Sequence, residues 1–189
     1  SQVTPIVRIP WLEPGIIMKV LDAGAYGVIC PMINTGAQAK ILVDCIRYPP
    51  VGNRSFGPIR ANISAGANYA SEANDNILAF AMIETAEAVK NVDKICSTPG
   101  LDGIYIGPAD LTLGITKGRL PPGMDREEPE LLTTIQKILQ TAKSHKIRAG
   151  IHCGTPEYAA KAIGWGFDMT TISGDARILA KGAKENVLR

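Results

Sequence analysis

The sequence predicts an α/β chain with a parallel sheet, wound as a (β/α)8 barrel. Three observations point there. Short apolar runs alternate with segments of helical periodicity six times along the chain. The runs are continuously apolar, as in strands covered on both faces, rather than alternating as in a half-exposed antiparallel sheet. Polar groups gather where the runs end: Arg8, Pro31-Met32, Glu84, Gly107-Pro108-Ala109-Asp110, His152 and Ser173-Gly174-Asp175. In a barrel that edge is the mouth in which an active site is built. An open doubly wound sheet would bind ligand at the same edge. The glycines nearest a strand end read G-P-A-D-L, however, so the dinucleotide fingerprint G-x-G-x-x-G is absent and the barrel is preferred.

The runs fall at residues 6–9, 26–31, 77–83, 101–106, 147–152 and 169–173. After the first, residues 13–23 read as a helix with Pro14 in its opening turn and Gly24 as its C-cap. After the second, residues 35–48 place Ile41, Leu42, Cys45 and Ile46 at helical spacing, and Pro49-Pro50 forbids continuation. Residues 48–76 contain Gly52, Gly57 and Gly66 with no clear period and read as a long irregular stretch, functional or mobile. From Glu130, an apolar stripe of Leu131, Leu132, Ile135, Ile138 and Leu139 lies opposite Gln136, Lys137 and Gln140. Thr155-Pro156-Glu157 opens another helix as N-cap and N1 proline, closed by Gly164 and Gly166. The last helix is expected at residues 175–187.

Composition limits what such a chain does. With 189 residues, 46% hydrophobic and 20% charged, residues 1–189 fit one globular domain with a substantial core. A net charge of +2 without blocks of like charge argues against nucleic-acid or membrane-surface partners. No apolar run approaches the ~18 residues of a membrane span. The first residues lack the basic start and apolar stretch of a signal peptide. Four cysteines, Cys30, Cys45, Cys96 and Cys153, have no C-x-x-C spacing, which fits packed, reduced thiols in a cytoplasmic protein.

Glu84 ends the third run and Asp110 follows the next, one βα repeat later. Adjacent parallel strands lie roughly 4.8 Å apart, so both carboxylates can reach one point. Two oxygen ligands with positions left for water and substrate suit Mg²⁺ or Mn²⁺, whereas zinc prefers His or Cys as well. The plainer alternative is that each acid simply opens the helix after its strand, where negative charge is favourable.

The segments PIVRIPW, GVICPMINT, RYPPVGNRSFGP, AMIET, GLDGIYIGPADL and GIHCGTPE, in this order from residue 4 to about residue 180, resemble the HpcH/HpaI aldolase family. These are class II pyruvate aldolases of the 4-hydroxy-2-oxoheptanedioate and 2-dehydro-3-deoxyglucarate type, acting in aromatic- or sugar-acid catabolism. The resemblance implies a barrel of the phosphoenolpyruvate/pyruvate-binding type and cleavage of 4-hydroxy-2-oxo acids to pyruvate and an aldehyde. It implies a divalent metal, Mg²⁺, Mn²⁺ or Co²⁺, on Glu84 and Asp110. It also implies a pyruvate carboxylate near Gly107, Pro108, Ala109 and Asp110, and Arg8 as the catalytic cation at the keto oxygen. Charge grows on that oxygen as C3–C4 breaks, so a fixed cation there favours the transition state over the ground state. Homo-oligomers, trimers or hexamers, are implied too, with the last helix packed onto a neighbour.

The pattern departs from the family in two places. Met82 stands where relatives carry a glutamine, and nothing in the chain aligns with the second-strand histidine linked to the general base. By the same resemblance the first strand here corresponds to the family's third, so two βα units of an eight-unit barrel of about 250 residues are expected to lie outside this chain. His152 aligns with an apolar family residue that bears on the choice of aldehyde. It is expected to line the aldehyde pocket and favour a polar or acidic acceptor, or else to be a hydrogen-bonded core histidine. His145 reads as a solvated cation at a helix end. Arg54 and Arg60 read as ligands for an acidic substrate terminus or as solvated loop residues; Trp11, Trp165 and Phe167 read as packing or subunit-contact residues. Two other activities fit the residues less well: a citrate-lyase-type acyl-CoA lyase, and a catalytically silent barrel acting as an interaction subunit.

Overall fold

The computed structural model describes residues 3–187; Ser1 and Gln2, included in the signal-peptide reading, lie outside them. Strands β1 (Ile6–Arg8), β2 (Gly27–Cys30), β3 (Leu78–Ile83), β4 (Gly103–Ile106), β5 (Arg148–Cys153) and β6 (Met169–Ile172) form one six-stranded sheet in sequential order, every pair parallel. All six lie where the apolar runs place them. Ile6 and Arg8 of one outer strand and Thr171 of the other line a single cavity, so the sheet curls into a half-barrel.

Parity along the strands decides what each residue faces. Val28, Ala79, Ala81, Ile104, Ile106 and Ile151 join the helices in the main core. Their neighbours Ile29, Phe80, Met82 and Tyr105 form a second, smaller cluster on the concave side, with Ile6, Leu78 and Met169 against it. Arg8, Glu84, Gly107, His152 and Thr171 continue the concave parity towards the C-terminal edge. Space inside the curl comes from glycine: a Cβ on Gly150 would approach Tyr105 Cδ2 to 2.8 Å.

The helices cover the convex side. α1 (Pro14–Asp22) starts after Glu13, whose carboxylate accepts N–H bonds from Gly15 and Ile16, each 2.8 Å. α2 (Gly36–Ile46) begins with a capping box of Thr35 and Gln38. α3 (Ile59–Ala65) and α4 (Tyr69–Asn76) precede β3, and α5 (Ala86–Lys90), α6 (Val92–Cys96), α7 (Pro108–Thr116), α8 (Pro129–Ser144), α9 (Pro156–Trp165) and α10 (Asp175–Val187) complete the alternation. Among the described residues no helix is long and apolar enough to cross a membrane. All four cysteines are free and buried, as their spacing suggests.

The stretch 48–76 is not irregular. It contains α3 (Ile59–Ala65) and α4 (Tyr69–Asn76). Periodicity misses them because they bury little: Ala61, Tyr69 and Ala73 face inward, while Ile59 and Ile63 are 77% and 78% exposed. Arg54 is not a substrate ligand either. It is fully buried, paired with Asp22 at 2.7 Å, donating to Tyr69 Oη at 3.1 Å and stacked 4.5 Å over the Tyr48 ring. These contacts fasten the stretch to α1. Arg60 lines a separate hollow beside α1 and β1. His145 is not simply solvated: as the C-cap of α8, its Nε2 meets Asp93 at 2.8 Å. Phe167 is buried and Trp165 packs edge-on against Tyr158, whereas Trp11 is exposed.

Candidate active site

A cavity of roughly 640 Å³ fills the mouth of the half-barrel and brings together Arg8, Glu84, Gly107, Pro108, Ala109, Asp110 and His152, but not the strand-end residues 31–32 and 173–175 or Arg54 and Arg60. Arg8, Glu84 and His152 arrive on three different strand ends and residues 107–110 together follow a fourth, which explains their spacing by βα repeats.

Glu84 is the most constrained. It is 2% exposed and lies outside the following helix, whose N-cap is Thr85, with Oγ1 accepting from the Ala88 N–H at 3.0 Å. Its role as a helix-opening acid is therefore excluded. Instead Oε1 accepts the N–H of Met32 at 2.8 Å, from the loop after β2. Met32 has φ 56°, a left-handed conformation uncommon outside glycine. Oε2 is buried with no hydrogen-bond partner among the described residues. A buried oxygen left unmatched is costly, so native proteins usually supply it with a donor, a water or a metal. Gly107 keeps the space around it, because a Cβ there would collide with Oε2 and come within 2.8 Å of Met82 Cε.

Asp110 lies in the first turn of α7, so its helix-opening position holds, yet it also lines the cavity, and its side chain forms no hydrogen bond or ion pair among the described residues. Burial pushes the Glu84 carboxyl above the usual carboxylate range; the Met32 N–H opposes this, Asp110 adds to it and Arg8 opposes it. Nearby positive charge would relieve both the desolvation and the repulsion between the acids. No cluster of three or more His, Cys, Asp and Glu side chains exists among the described residues. Glu84 and Asp110 could offer two carboxylates with open positions. This fits Mg²⁺ or Mn²⁺ and does not fit a closed zinc site.

His152 ends β5 half-buried, and burial moves its imidazole below the ordinary histidine value, with Arg177 adding to the fall and Asp125 opposing it. Its Nδ1 meets Thr171 Oγ1 at 2.7 Å, and Thr171 in turn is hydrogen-bonded to the Tyr105 hydroxyl. This histidine is thus hydrogen-bonded and also lines the cavity. The sequence reading missed Tyr105, Thr171, Arg177 and the segment Pro122-Gly123-Met124, all of which border the cavity. That segment is held by Asp125, whose carboxylate accepts from the Gly154 N–H at 2.7 Å and Thr155 Oγ1 at 2.8 Å. The available signals were the strand parity of Tyr105 and Thr171 and the place of Arg177 just after a strand end.

Comparison with known proteins matches residues 1–180 to the profile of the HpcH/HpaI aldolase/citrate lyase family. The chain belongs to this family. Over 181 residues it is 41% identical to a hydroxypyruvate/pyruvate aldolase of Rhizorhabdus wittichii, covering 96% of this chain and 71% of that protein. It is 33% identical over 187 residues to a 5-keto-4-deoxy-D-glucarate aldolase of Escherichia coli, covering 98% and 71%. A crystal structure of an HpcH/HpaI aldolase/citrate lyase family protein from Burkholderia cenocepacia superposes with a TM-score of 0.86 at 29% identity, covering 98% of this chain and 72% of that one. As a member of the HpcH/HpaI family with named aldolases as relatives, the chain is an aldolase-type carbon–carbon lyase.

Proposed function

We propose that the chain carries the site of a divalent-metal-dependent pyruvate aldolase, which cleaves a 4-hydroxy-2-oxo acid into pyruvate and an aldehyde. The observation that carries this is the buried, unpartnered Oε2 of Glu84, next to Asp110 in a cavity that also holds Arg8. A divalent ion on Glu84 and Asp110, Mg²⁺, Mn²⁺ or Co²⁺, would supply Lewis-acid charge to the 2-oxo acid end of the substrate.

The chain's own groups account for the rest of the binding. Ala109 and Asp110 stand in the first turn of α7, where backbone N–H groups have no helical acceptor and can meet the substrate carboxylate. Arg8, which has no ion pair among the described residues, supplies positive charge for the keto oxygen. Cleavage breaks C3–C4. The electron pair of that bond passes into the pyruvate enolate, the C4 hydroxyl loses its proton as the aldehyde forms, and a proton returned to C3 completes pyruvate. A cation held at the enolate oxygen is worth most when charge is greatest there. Met82 and Tyr105 wall this region with apolar surface and limit water.

The outer strands suggest the surroundings. β1 and β6 are only partly buried, whereas β2 and β4 are wholly buried. We read this as a barrel closed by further βα units that also bring the base for the C4 hydroxyl, within a homo-oligomer contacted by α10. Buried free thiols suit a cytoplasmic setting. The test is proton exchange of the pyruvate methyl group in D2O, followed by NMR with Mn²⁺ or Mg²⁺ and with chelator. Metal-dependent exchange that drops at least about 100-fold in Glu84→Ala is expected. Absence of exchange with every metal, in a protein that also carries those further βα units, would remove the pyruvate reading and move the acyl-CoA lyase ahead of it.

A further inference from the structure

The open oxygen of Glu84 has an apolar neighbour. A Cβ on Gly107 would collide with Glu84 Oε2 and stand 2.8 Å from Met82 Cε, so the unmatched oxygen and the thioether methyl border the same small gap. The placement follows from parity. Met82, on β3, lies two residues before Glu84 and takes the same concave face, where it is 6% exposed. Its register partner on β4 is Tyr105, and with Ile29 and Phe80 these two make the concave cluster that floors the cavity beneath the acids.

What this floor lacks is a hydrogen-bond acceptor. Ile29 and Phe80 have none in their side chains, a thioether sulfur is a weak one, and the Tyr105 hydroxyl is already bonded to Thr171. Arg8, close enough to act on the charge of Glu84, only donates. The acceptors at this end are the Glu84 and Asp110 carboxylates, the groups expected to hold the ion. A water kept on that ion towards the floor would therefore leave a hydrogen unmatched, in a place where an unmatched polar group is costly.

Divalent ions differ in how much this matters. Mg²⁺ gives up water reluctantly and usually keeps several molecules in a strict octahedron. Those waters depend on outer partners, and the apolar shell around a site controls whether partners exist. Mn²⁺ is larger, holds its water less tightly and accepts the same carboxylate ligands.

We propose that Met82 is a metal-selecting residue. By lining the open oxygen of Glu84 with a methyl group that cannot accept a hydrogen bond from metal-bound water, it tilts the site from Mg²⁺ towards Mn²⁺. The inference rests on the divalent-metal reading of Glu84 and Asp110 and narrows the choice of ion. Met82 acts through the water shell, not as a ligand.

The test is direct metal binding, without substrate or turnover, on a protein that also carries the further βα units. Mn²⁺ is titrated by its electron paramagnetic resonance signal, and Mg²⁺ is then titrated against the bound Mn²⁺. One ratio of affinities results for each of wild type, Met82→Gln and Met82→Leu. The wild-type ratio is expected to favour Mn²⁺, to fall about tenfold in Met82→Gln, mostly through tighter Mg²⁺ binding, and to stay within about twofold in Met82→Leu. Leucine is close in volume and equally unable to accept a hydrogen bond, so it separates dryness from any role of the sulfur. Met82→Ser, a smaller acceptor, is expected to lower the ratio in the same direction and replaces the glutamine variant if circular dichroism shows that one misfolded. A wild type without preference, an unchanged ratio in the polar variants, or a ratio lost as fully in Met82→Leu overturns the proposal. Absence of Mn²⁺ binding in the wild type removes the metal reading and this inference together, whereas Mn²⁺ binding with an unchanged ratio removes this inference alone.

Discussion

Glu84 and Gly107 work as a pair. The carboxylate is held by one oxygen to Met32, and its other oxygen is kept open only because Gly107 has no side chain. Gly107→Ala should therefore move the carboxylate off its place without unfolding the protein. The expected result is a loss of Mn²⁺ affinity of at least about tenfold, read by electron paramagnetic titration, with an unchanged circular-dichroism spectrum. Wild-type affinity in Gly107→Ala would show that Glu84 does not hold the metal by this oxygen. On the proposed metal site the G-P-A-D stretch would have two functions in four residues: space for one ligand and, at Asp110, a second.

Between elements, Asp168 joins pieces that are far apart in the chain. Its Oδ2 accepts from the Ala149 N–H at 2.8 Å and from Lys143 Nζ at 2.6 Å, while Oδ1 lies 3.3 Å from Arg148. It thereby ties the end of α8 and the start of β5 to the approach to β6, the strand pair that presents His152 and Thr171. Burial alone would raise its carboxyl, but the bonds from Lys143, Ala149 and Arg148 outweigh this and hold it below the usual 3.8. A carboxyl depressed in the folded state adds stability that is present above its unfolded value and is lost as pH falls through its folded value. Asp168→Asn should cost about 1–2 kcal/mol at pH 7. The gap from wild type should close as the pH drops below 3.8, in urea titrations across that range. A gap independent of pH would mean that shape rather than charge makes these bonds.

For the molecule as a whole, α10 is the element without a place of its own. It has no buried residue, and Ile178 and Leu179 are 63% and 75% exposed. A helix with an apolar side and nothing beneath it is normally covered by something else. A second copy of the chain is the occupant proposed here, in keeping with Trp11 and Phe56, which are also exposed. Sedimentation should give a species larger than a monomer, and Leu179→Asp should shift it to smaller ones. A wild-type monomer at micromolar concentration would count against this assembly.

The six strands and five of the ten described helices were legible along the chain because burial on both faces leaves continuous apolar runs, and because Pro14, Thr155 and Pro156 mark helix starts chemically. The site residues at strand ends were legible for a related reason: Glu84, Asp110 and His152 interrupt runs that are otherwise apolar. α3 and α4 were not, since their exposed isoleucines leave no inward stripe. Nor was the burial of Arg54, whose partners Asp22, Tyr48 and Tyr69 come from distant turns of the chain. The local pattern of side chains was enough to settle the alternation of strand and helix and the identity of the strand-end acids. The meeting of Arg8 with Arg177 across one cavity, the unmatched oxygen of Glu84 and the Tyr105–Thr171–His152 chain came only with the curl of the sheet. Periodicity records which face a residue takes, whereas curvature and side-chain reach decide what it meets there.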